Sequence, residues 1–229
     1  MKKELKTFKY ASMNEANSYL LINKENKKAI LIDGGYQQET ILAYLINYNL
    51  ELTDILITHF HHDHTVGLDK LAIKTKAIIH IHEKDYPFLL DKRINGSQYG
   101  HNINFEDGSI KYDLFNDLKE IVLNNFEIQI IPKGGHSKGT TFYQVDKEHL
   151  FIGDTLFING FGYHKKMFQN SEHPLKLMFE LTCDDKIFFE SIKSIGKEYF
   201  NYKLYPGHWE SGFKLVDITK QEDHPYNKL

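Results

Sequence analysis

The chain has 229 residues, of which 41% are hydrophobic and 14% aromatic, so we expect one domain with a substantial core over residues 1–229. Its net charge of −3 argues against a general nucleic-acid binder, since such proteins are usually basic. Arg93 is the only arginine, so binding of a phosphate or carboxylate group by two guanidinium groups of the chain is excluded. Cys183 is the only cysteine, so the chain cannot form an internal disulfide. We see no apolar leader and no long apolar stretch, and therefore expect a cytoplasmic protein without a membrane span.

Apolar spacing predicts the elements of the first half of the chain. A helix with one apolar face is expected over residues 39–48, because its apolar side chains recur at helical spacing. Short apolar runs predict strands, and two further segments read as helices. In chain order the predictions are strands at 8–11, 19–22 and 28–32, the helix at 39–48, a strand at 54–58, a helix at 66–73, a strand at 77–81 and a helix at 84–90.

The second half begins with a polar, irregular stretch over residues 91–117. Beyond it, Asn124 and Asn125 separate two apolar runs and predict a hairpin, since asparagine readily adopts the left-handed turn conformation. Strand meanders followed by helices favour two packed sheets with helices outside. The predicted elements are strands at 119–123, 126–131, 141–145 and 149–152, a helix at 187–199 and a strand at 202–205.

The most informative segment is the loop after the strand at 54–58, which reads Thr58-His59-Phe60-His61-His62-Asp63-His64. In an extended backbone alternate side chains project to the same side, so His59, His61 and Asp63 are expected to point together. A helix is expected to start at Asp63-His64-Thr65, which turns His64 toward a neighbouring position. Imidazole and carboxylate groups without thiolate are typical of an open hydrolytic zinc or iron site. The loop therefore predicts ligands for two adjacent metal ions.

Other strand ends share one design, in which an apolar strand runs into a glycine-containing turn that carries a possible ligand. They are Asp33-Gly34, Gly135-His136, Gly153-Asp154 and Gly207-His208. Glycine permits tight turns and close backbone approach, which strand-end loops need in order to converge on a small site. Each pair alone is explained by an ordinary turn. Their occurrence in order with the histidine loop favours a shared site.

With these motifs the sequence resembles the metallo-β-lactamase-fold hydrolase superfamily, from about Asp33 to His208. Residues 151–157 and 205–208 look most like its glyoxalase II-like (hydroxyacylglutathione hydrolase-like) branch. The resemblance implies an α/β fold, a four-layer αββα sandwich of two mixed β-sheets with helices on the outer faces. It also implies a dinuclear metal site on one edge of that sandwich.

The resemblance further implies which side chains bind metal. His59, His61 and His136 would hold one ion, Asp63, His64 and His208 the other, and Asp154 would bridge the pair. Asp33 would lie behind the ligands and orient one of them, because a coordinating imidazole needs its other nitrogen fixed. We expect two divalent ions, most simply Zn²⁺, although iron and manganese accept the same nitrogen and oxygen donors.

The implied reaction is hydrolysis of a small thioester or ester. Metal binding lowers the pKa of water from about 15.7 toward 7, so a hydroxide that bridges the ions would attack the substrate carbonyl. Asp63 is expected to manage the proton afterwards. The glyoxalase II-like pattern often has an arginine shortly after the Gly-Asp-Thr-Leu-Phe segment, where this chain has Tyr163-His164-Lys165-Lys166, so these are candidate substrate-binding residues. No C-terminal glutathione-binding region is recognisable, which favours a small thioester over S-lactoylglutathione.

Alternative functions remain open on the same motifs. A lactonase uses the same site, and persulfide dioxygenases keep similar motifs with a single iron. A metal-binding domain that serves an assembly without turnover is a third possibility, but a structural site has no use for an open bimetallic centre. A small-molecule substrate is expected, with neither nucleic acid nor membrane as partner. The sequence does not indicate an oligomeric state.

The remaining histidines and the cysteine are expected to be structural. His80 and His82 alternate on the strand that begins at Ala77, and packing or exposure explains them better than metal binding. Cys183 is expected to be a packed thiol, because nothing near it in the sequence suggests an activated nucleophile.

Overall fold

The computed structural model describes residues 2–12 and 15–229, and the chain divides into two compact units. The first unit comprises residues 1–116 and 122–126, and the second comprises residues 117–121 and 127–229. No helix within the described residues is long and apolar enough to cross a membrane. The expectation of a single domain stays a prediction.

The first unit contains a six-stranded mixed sheet in the order β1-β2-β3-β4-β5-β6. Its strands are β1 (Lys3–Phe8), β2 (Ser18–Asn23), β3 (Lys28–Ile32), β4 (Glu51–Leu56), β5 (Ile78–His82) and β6 (Lys111–Phe115). Its helices are α1 (Gln38–Asn47), α2 (His62–Thr65), α3 (Leu68–Thr75) and α4 (Tyr86–Leu90). Strands β1 to β3 pair antiparallel, and β3 to β6 pair parallel. The parallel pairs require crossovers, which contain the helices.

The second unit contains a five-stranded mixed sheet in the order β13-β10-β9-β8-β7. Its strands are β7 (Lys119–Leu123), β8 (Phe126–Pro132), β9 (Thr141–Val145), β10 (His149–Gly153) and β13 (Lys203–Pro206), and a small hairpin is formed by β11 (Leu156–Phe157) and β12 (Gly160–Phe161). Its helices are α5 (Lys176–Thr182), α6 (Asp185–Glu198) and α7 (Leu215–Thr219). Strands β10 and β13 are parallel neighbours, although they are distant in sequence.

Helix α6 covers a face of the second sheet because its apolar side chains form one stripe. Phe188, Ile192 and Ile195 recur at helical spacing and are all fully buried. They pack in one cluster with Phe142 of β9 and Leu150 of β10. At its start, the Asp184 carboxylate accepts a hydrogen bond from the backbone N–H of Ile187 (3.1 Å), which caps the helix. This core fixes the loops that surround the first turn of α6.

The turns between β7 and β8 and between β9 and β10 have consecutive residues in the left-handed backbone conformation. Asn124 and Asn125 have φ of 49° and 68°, as the sequence predicts, and Asp146 and Lys147 have φ of 50° and 55° in the turn between β9 and β10. Two consecutive positive φ values are typical of the type I′ turn, whose twist matches that of the flanking strands.

The predicted fold class is confirmed: the protein is a mixed α/β fold with two large mixed sheets and helices. The placement of the first strand at residues 8–11 is wrong, since β1 ends at Phe8. Strand β6 lies inside the stretch predicted to be irregular, and the short strands β11 and β12 and the helices α5 and α7 were not predicted. Strands β1 and β6 are edge strands whose side chains are mostly half-exposed, so they lack the continuous apolar pattern that marks a central strand.

Candidate metal centre

The histidine loop begins where β4 ends, and the fold buries most of it. His59, His61 and His64 are at most 3% exposed, whereas Asp63 is partly exposed. His61 is still extended (φ −54°, ψ 146°), but α2 begins at His62, so Asp63 already lies in a helical turn. The helix start predicted at Asp63 is therefore wrong by one residue, and the backbone is not extended as far as Asp63. The early helix start turns Asp63 and His64 away from the extended pair.

Within this loop the ligand atoms fall into two close pairs. Those of His59 and His61 lie within 4.8 Å of each other, and so do those of Asp63 and His64. The rings of His59 and His61 contact each other edge to face at 4.5 Å between centroids, and the rings of His59 and His64 lie at 4.1 Å. Such spacing suits pairs of donors that each face one metal ion.

Asp33 lies behind the histidine loop, where the parallel pairing of β3 and β4 places it. Its carboxylate accepts hydrogen bonds from the Thr58 backbone N–H (2.8 Å), the Thr58 hydroxyl (2.8 Å) and His64 Nδ1 (2.9 Å). Thr58 Oγ1 also lies 3.0 Å from His59 Nδ1. Because the hydroxyl proton goes to Asp33, the Thr58 oxygen accepts from His59 Nδ1–H. One buried carboxylate thus holds the Nδ1 proton of His64 directly and that of His59 through Thr58.

The turn after Asp33 packs backbone to backbone against the start of α2. Asp33 has a positive φ of 53°, and the Gly34 N–H donates to the His64 carbonyl oxygen (3.2 Å). A Cβ on Gly35 would overlap the Asp63 carbonyl oxygen and lie 2.7 Å from the His64 carbonyl carbon. Only glycine permits this approach, which explains the Asp-Gly-Gly sequence in physical terms.

Two residues whose hydrogen bonds hold the histidine loop in place were not predicted from the sequence. Asp85, which is fully buried, accepts a hydrogen bond from the Phe60 backbone N–H (3.2 Å) and so fixes the peptide between His59 and His61. Thr58 connects Asp33 to His59. No sequence signal distinguishes Asp85 from an ordinary turn aspartate, because its contact with Phe60 depends on the tertiary fold.

The second unit places its own ligand-type residues around Asp154. Strands β10 and β13 run parallel, so the residues after their carboxyl ends lie side by side, and the Gly207 N–H donates to the Gly153 carbonyl oxygen (2.9 Å). Asp154 Oδ2 consequently lies 3.3 Å from His208 Nε2 and 3.9 Å from His136 Nε2. One carboxylate therefore lies beside two imidazoles that come from different loops.

The ring orientation of His136 is set by the loop over residues 160–166. His136 Nδ1 donates a hydrogen bond to the carbonyl oxygen of Tyr163 (2.8 Å). The ring also contacts Phe179 (5.5 Å) and Phe188 (6.2 Å) between centroids. The Nδ1 proton directs the lone pair of the neutral ring to Nε2, the nitrogen that lies toward Asp154.

The candidate substrate-binding residues differ in exposure. The Tyr163 side chain is 51% exposed, Lys166 is exposed, and His164 and Lys165 are half-buried. Burial lowers the pKa of His164, whose Nδ1 lies 3.8 Å from Asp185 Oδ1. This loop therefore offers polar side chains to solvent on one side and a backbone contact with His136 on the other.

Most of the remaining histidines have structural contacts, as predicted. His80 is buried between Asp54 (Nε2 to Oδ1, 2.8 Å) and Asp113 (Nδ1 to Oδ2, 3.1 Å), which ties three parallel strands together. His62 is more distinctive, since its ring lies near Tyr36 and Tyr99. Burial lowers the pKa of His62, so the ring is neutral at pH 7.

The donors present fit divalent metal ions. The ligand-type side chains in each unit are imidazoles and carboxylates, which suit zinc, iron or manganese. His59, His64 and His136 each have Nδ1 in a hydrogen bond, so Nε2 is the nitrogen of each ring that suits a metal ion. Cys183 is in neither group of possible metal ligands among the described residues; its Sγ accepts a hydrogen bond from the Lys165 N–H (3.3 Å) and donates to Asp185 Oδ1 (3.8 Å).

Comparison with known proteins gives consistent matches. A family model described as the metallo-beta-lactamase superfamily matches residues 14–188. The chain is 28% identical over 179 residues to the probable metallo-hydrolase YqgX of Bacillus subtilis (strain 168), covering 71% of this chain and 83% of the relative. It is 31% identical over 174 residues to a hydroxyacylglutathione hydrolase of Pseudoalteromonas translucida, covering 74% of this chain but only 58% of the relative.

Solved structures show the same fold. The BLEG-1 B3 metallo-beta-lactamase has a TM-score of 0.73 at 21% identity, with 96% of this chain and 98% of that chain covered. TTHA1623, solved in a di-iron-bound form, has a TM-score of 0.70 at 22% identity, with 93% and 97% covered.

Proposed function

The chain belongs to the metallo-beta-lactamase superfamily, as its motifs predict, and we propose that this metal-dependent hydrolase cleaves a small thioester or ester. The observation that carries the proposal is the position of Asp154, whose Oδ2 lies 3.3 Å from His208 Nε2 and 3.9 Å from His136 Nε2. A carboxylate beside two imidazoles on different loops is suited to bridge two metal ions, and an open bimetallic centre serves hydrolysis rather than structure.

The proposed ligand set is the one that the family resemblance implies. His59, His61 and His136 would hold the first ion, Asp63, His64 and His208 would hold the second, and Asp154 would be shared between them. In support, the paired donors of the histidine loop and the Asp154 group each have the geometry that such a division needs. Zn²⁺ is proposed as the natural metal, and the di-iron form of TTHA1623 makes iron the alternative to test.

When bound, the two ions would polarise the substrate carbonyl and lower the pKa of bound water from about 15.7 toward 7. The chain's own residues orient the ligands for that chemistry. Asp33 and the Tyr163 carbonyl keep protons on Nδ1 of His64 and His136, so Nε2 stays available as a donor. Asp63 is the proposed catalytic residue, and Oδ2 of its partly exposed carboxylate accepts the proton released during hydrolysis.

Support for a thioester comes from the relatives named hydroxyacylglutathione hydrolase, although the match spans little more than half of their length. We propose a small-molecule substrate whose distal part contacts Tyr163, His164, Lys165 and Lys166. These residues offer two positive charges and two aromatic rings, partly accessible to solvent. A cytoplasmic location remains a prediction from the cysteine content.

The test combines metal analysis with an activity assay. Protein purified without chelator is analysed for metal content, and hydrolysis of a panel of small thioesters is followed by release of the free thiol under anaerobic conditions. The Asp154→Ala variant removes the proposed bridge. Asp107→Ala is the matched control, because Asp107 is a loop carboxylate whose hydrogen bonds are to Ser109.

We expect about two metal ions per wild-type chain. The Asp154→Ala variant should lose bound metal and should also lose thioester cleavage, whereas the Asp107→Ala variant should keep both. One iron per chain, oxygen consumption when a persulfide is added, and no thioester cleavage would together favour a persulfide dioxygenase over the hydrolase. A wild-type protein that binds no metal after reconstitution would refute both.

A further inference from the structure

The loop over residues 160–166 contacts the backbone or side chain of two proposed metal ligands. Its tightest contact is at Gly162, which is buried. A Cβ built on Gly162 would overlap the Asp154 carbonyl oxygen and lie 2.8 Å from the Asp154 carbonyl carbon and 3.2 Å from its Cβ. One residue later, the Tyr163 carbonyl oxygen accepts the hydrogen bond from His136 Nδ1 (2.8 Å). Two consecutive residues of one loop thus hold both Asp154 and His136.

We propose that Gly162 is a positioning residue for the metal centre, because the absence of a side chain there lets the loop seat Asp154 and aim His136 at the same time. The inference rests on the proposed function, since it concerns the same metal ligands. Metal-bound histidines usually need a partner on their second nitrogen, and loss of such a partner typically lowers metal affinity about 10- to 100-fold. In this protein the partner is a backbone carbonyl, so its position depends on the path of the loop.

The other end of the loop is fastened to the residues at the start of α6. The Lys165 N–H donates to Cys183 Sγ (3.3 Å), and the Lys166 N–H donates to Asp185 Oδ1 (3.4 Å). The loop is therefore held at both ends. A side chain at position 162 cannot be accommodated by a free swing of the loop and would instead displace Asp154 or the Tyr163 carbonyl.

The loop that carries His136 is fastened to the same helix. The Asp184 N–H donates to the Gly135 carbonyl oxygen (2.9 Å). A Cβ on Gly135 would meet the backbone nitrogen of Phe188 at 2.5 Å. Because both loops are anchored on the first turn of α6, the distance between His136 and the Tyr163 carbonyl is fixed by the core rather than by either loop alone.

A matched pair of variants tests the proposal. Gly162→Ala introduces the overlap, whereas Gly160→Ala is the control, since a Cβ at Gly160 meets nothing within 4 Å. Neither glycine has a positive φ, so alanine adopts both backbone conformations without strain, and the steric contact is the only difference. Affinity for Zn²⁺ is measured by chelator competition, and Co²⁺ titration followed by visible absorption reports the geometry of the ligands.

We expect Gly162→Ala to bind Zn²⁺ about 10- to 100-fold more weakly than wild type and to change the Co²⁺ spectrum, while Gly160→Ala matches wild type in both. Equal affinity and identical spectra in all three proteins would overturn the role of Gly162 and leave the hydrolase intact. Failure of wild type itself to bind either metal would instead refute the proposed function.

A second measurement covers the case in which Gly162→Ala does not fold. Long-range ¹H–¹⁵N spectra of metal-free wild-type protein, labelled with ¹⁵N-histidine at pH 8, reveal which ring nitrogen of His136 carries the proton. The signals are assigned by their absence in His136→Gln. A proton on Nδ1 is the expected result, and a proton on Nε2 would show that the loop does not set the tautomer.

Discussion

Thr58 offers a direct test of the hydrogen-bond chain behind the metal ligands. Its hydroxyl donates to Asp33 (2.8 Å) and lies 3.0 Å from His59 Nδ1, and the side chain is fully buried. Thr58→Val keeps the shape and the backbone N–H bond to Asp33 but removes the hydroxyl. His59 then loses the acceptor that holds its proton on Nδ1, while the bond between Asp33 and His64 stays.

Two effects are expected, and they add in the metal-loaded protein. A hydrogen bond to a charged group contributes about 1.5–3 kcal/mol, and burial of the added methyl group returns about 0.8 kcal/mol, so the metal-free protein should lose roughly 1–2 kcal/mol of unfolding free energy. Loss of a histidine's outer partner typically costs about 10- to 100-fold in metal affinity, or about 1.4–2.7 kcal/mol. Metal-loaded protein should therefore lose more stability than metal-free protein.

Urea unfolding of the metal-free and Zn²⁺-loaded forms measures both effects. Thr58→Ser is the matched control, since it keeps the hydroxyl and loses only the methyl group. The reasoning would be refuted if Thr58→Val bound Zn²⁺ as tightly as Thr58→Ser, because Thr58 would then not set the ring orientation of His59.

Two further predictions concern buried titratable groups. Burial lowers the pKa of His224 below its ordinary 6.5, and Nδ1 of the neutral ring accepts a hydrogen bond from the Tyr226 N–H. The neutral ring therefore stabilises the fold above pH 6.5, and this stabilisation is lost as the pH falls below that value. Between pH 7 and 5 the unfolding free energy of wild type should fall more steeply than that of His224→Asn, by at most about 1.4 kcal/mol per pH unit; parallel curves would contradict this. Burial raises the pKa of Cys183 to about 12, so iodoacetamide at pH 8 should label the thiol in urea but not in the native protein, and rapid native labelling would show that the thiol is accessible.

The sequence predicted the ligand types because the motifs that carry them are local. Thr58 to His64 follows directly on a strand, and the Gly-Asp154 and Gly-His208 pairs follow two others, so a pattern of apolar runs and glycine turns suffices to find them. The same pattern located most of the central strands. Whether these ligands form the dinuclear centre that the resemblance implies stays a proposal, as does the contact of residues 163–166 with substrate.

Predictions from the sequence were wrong or missing for elements whose position depends on segments that are distant along the chain. Edge strands β1 and β6 are half-exposed, so no apolar pattern marks them, and only pairing with neighbours decides their position. The close approach of Gly35 to the backbone of Asp63 and His64 likewise joins segments that are distant along the chain, and no local pattern predicts it.

The amino-acid sequence by itself determined the fold class, the family and the chemistry of the candidate ligands. Only the tertiary structure decided how they are oriented, with Asp33 and Thr58 holding the Nδ1 protons of His64 and His59, and the Tyr163 carbonyl holding that of His136. The reason is physical: a side chain's identity supplies its donor atom, but which nitrogen of an imidazole carries the proton depends on an acceptor placed within about 3 Å by a different segment of the folded chain.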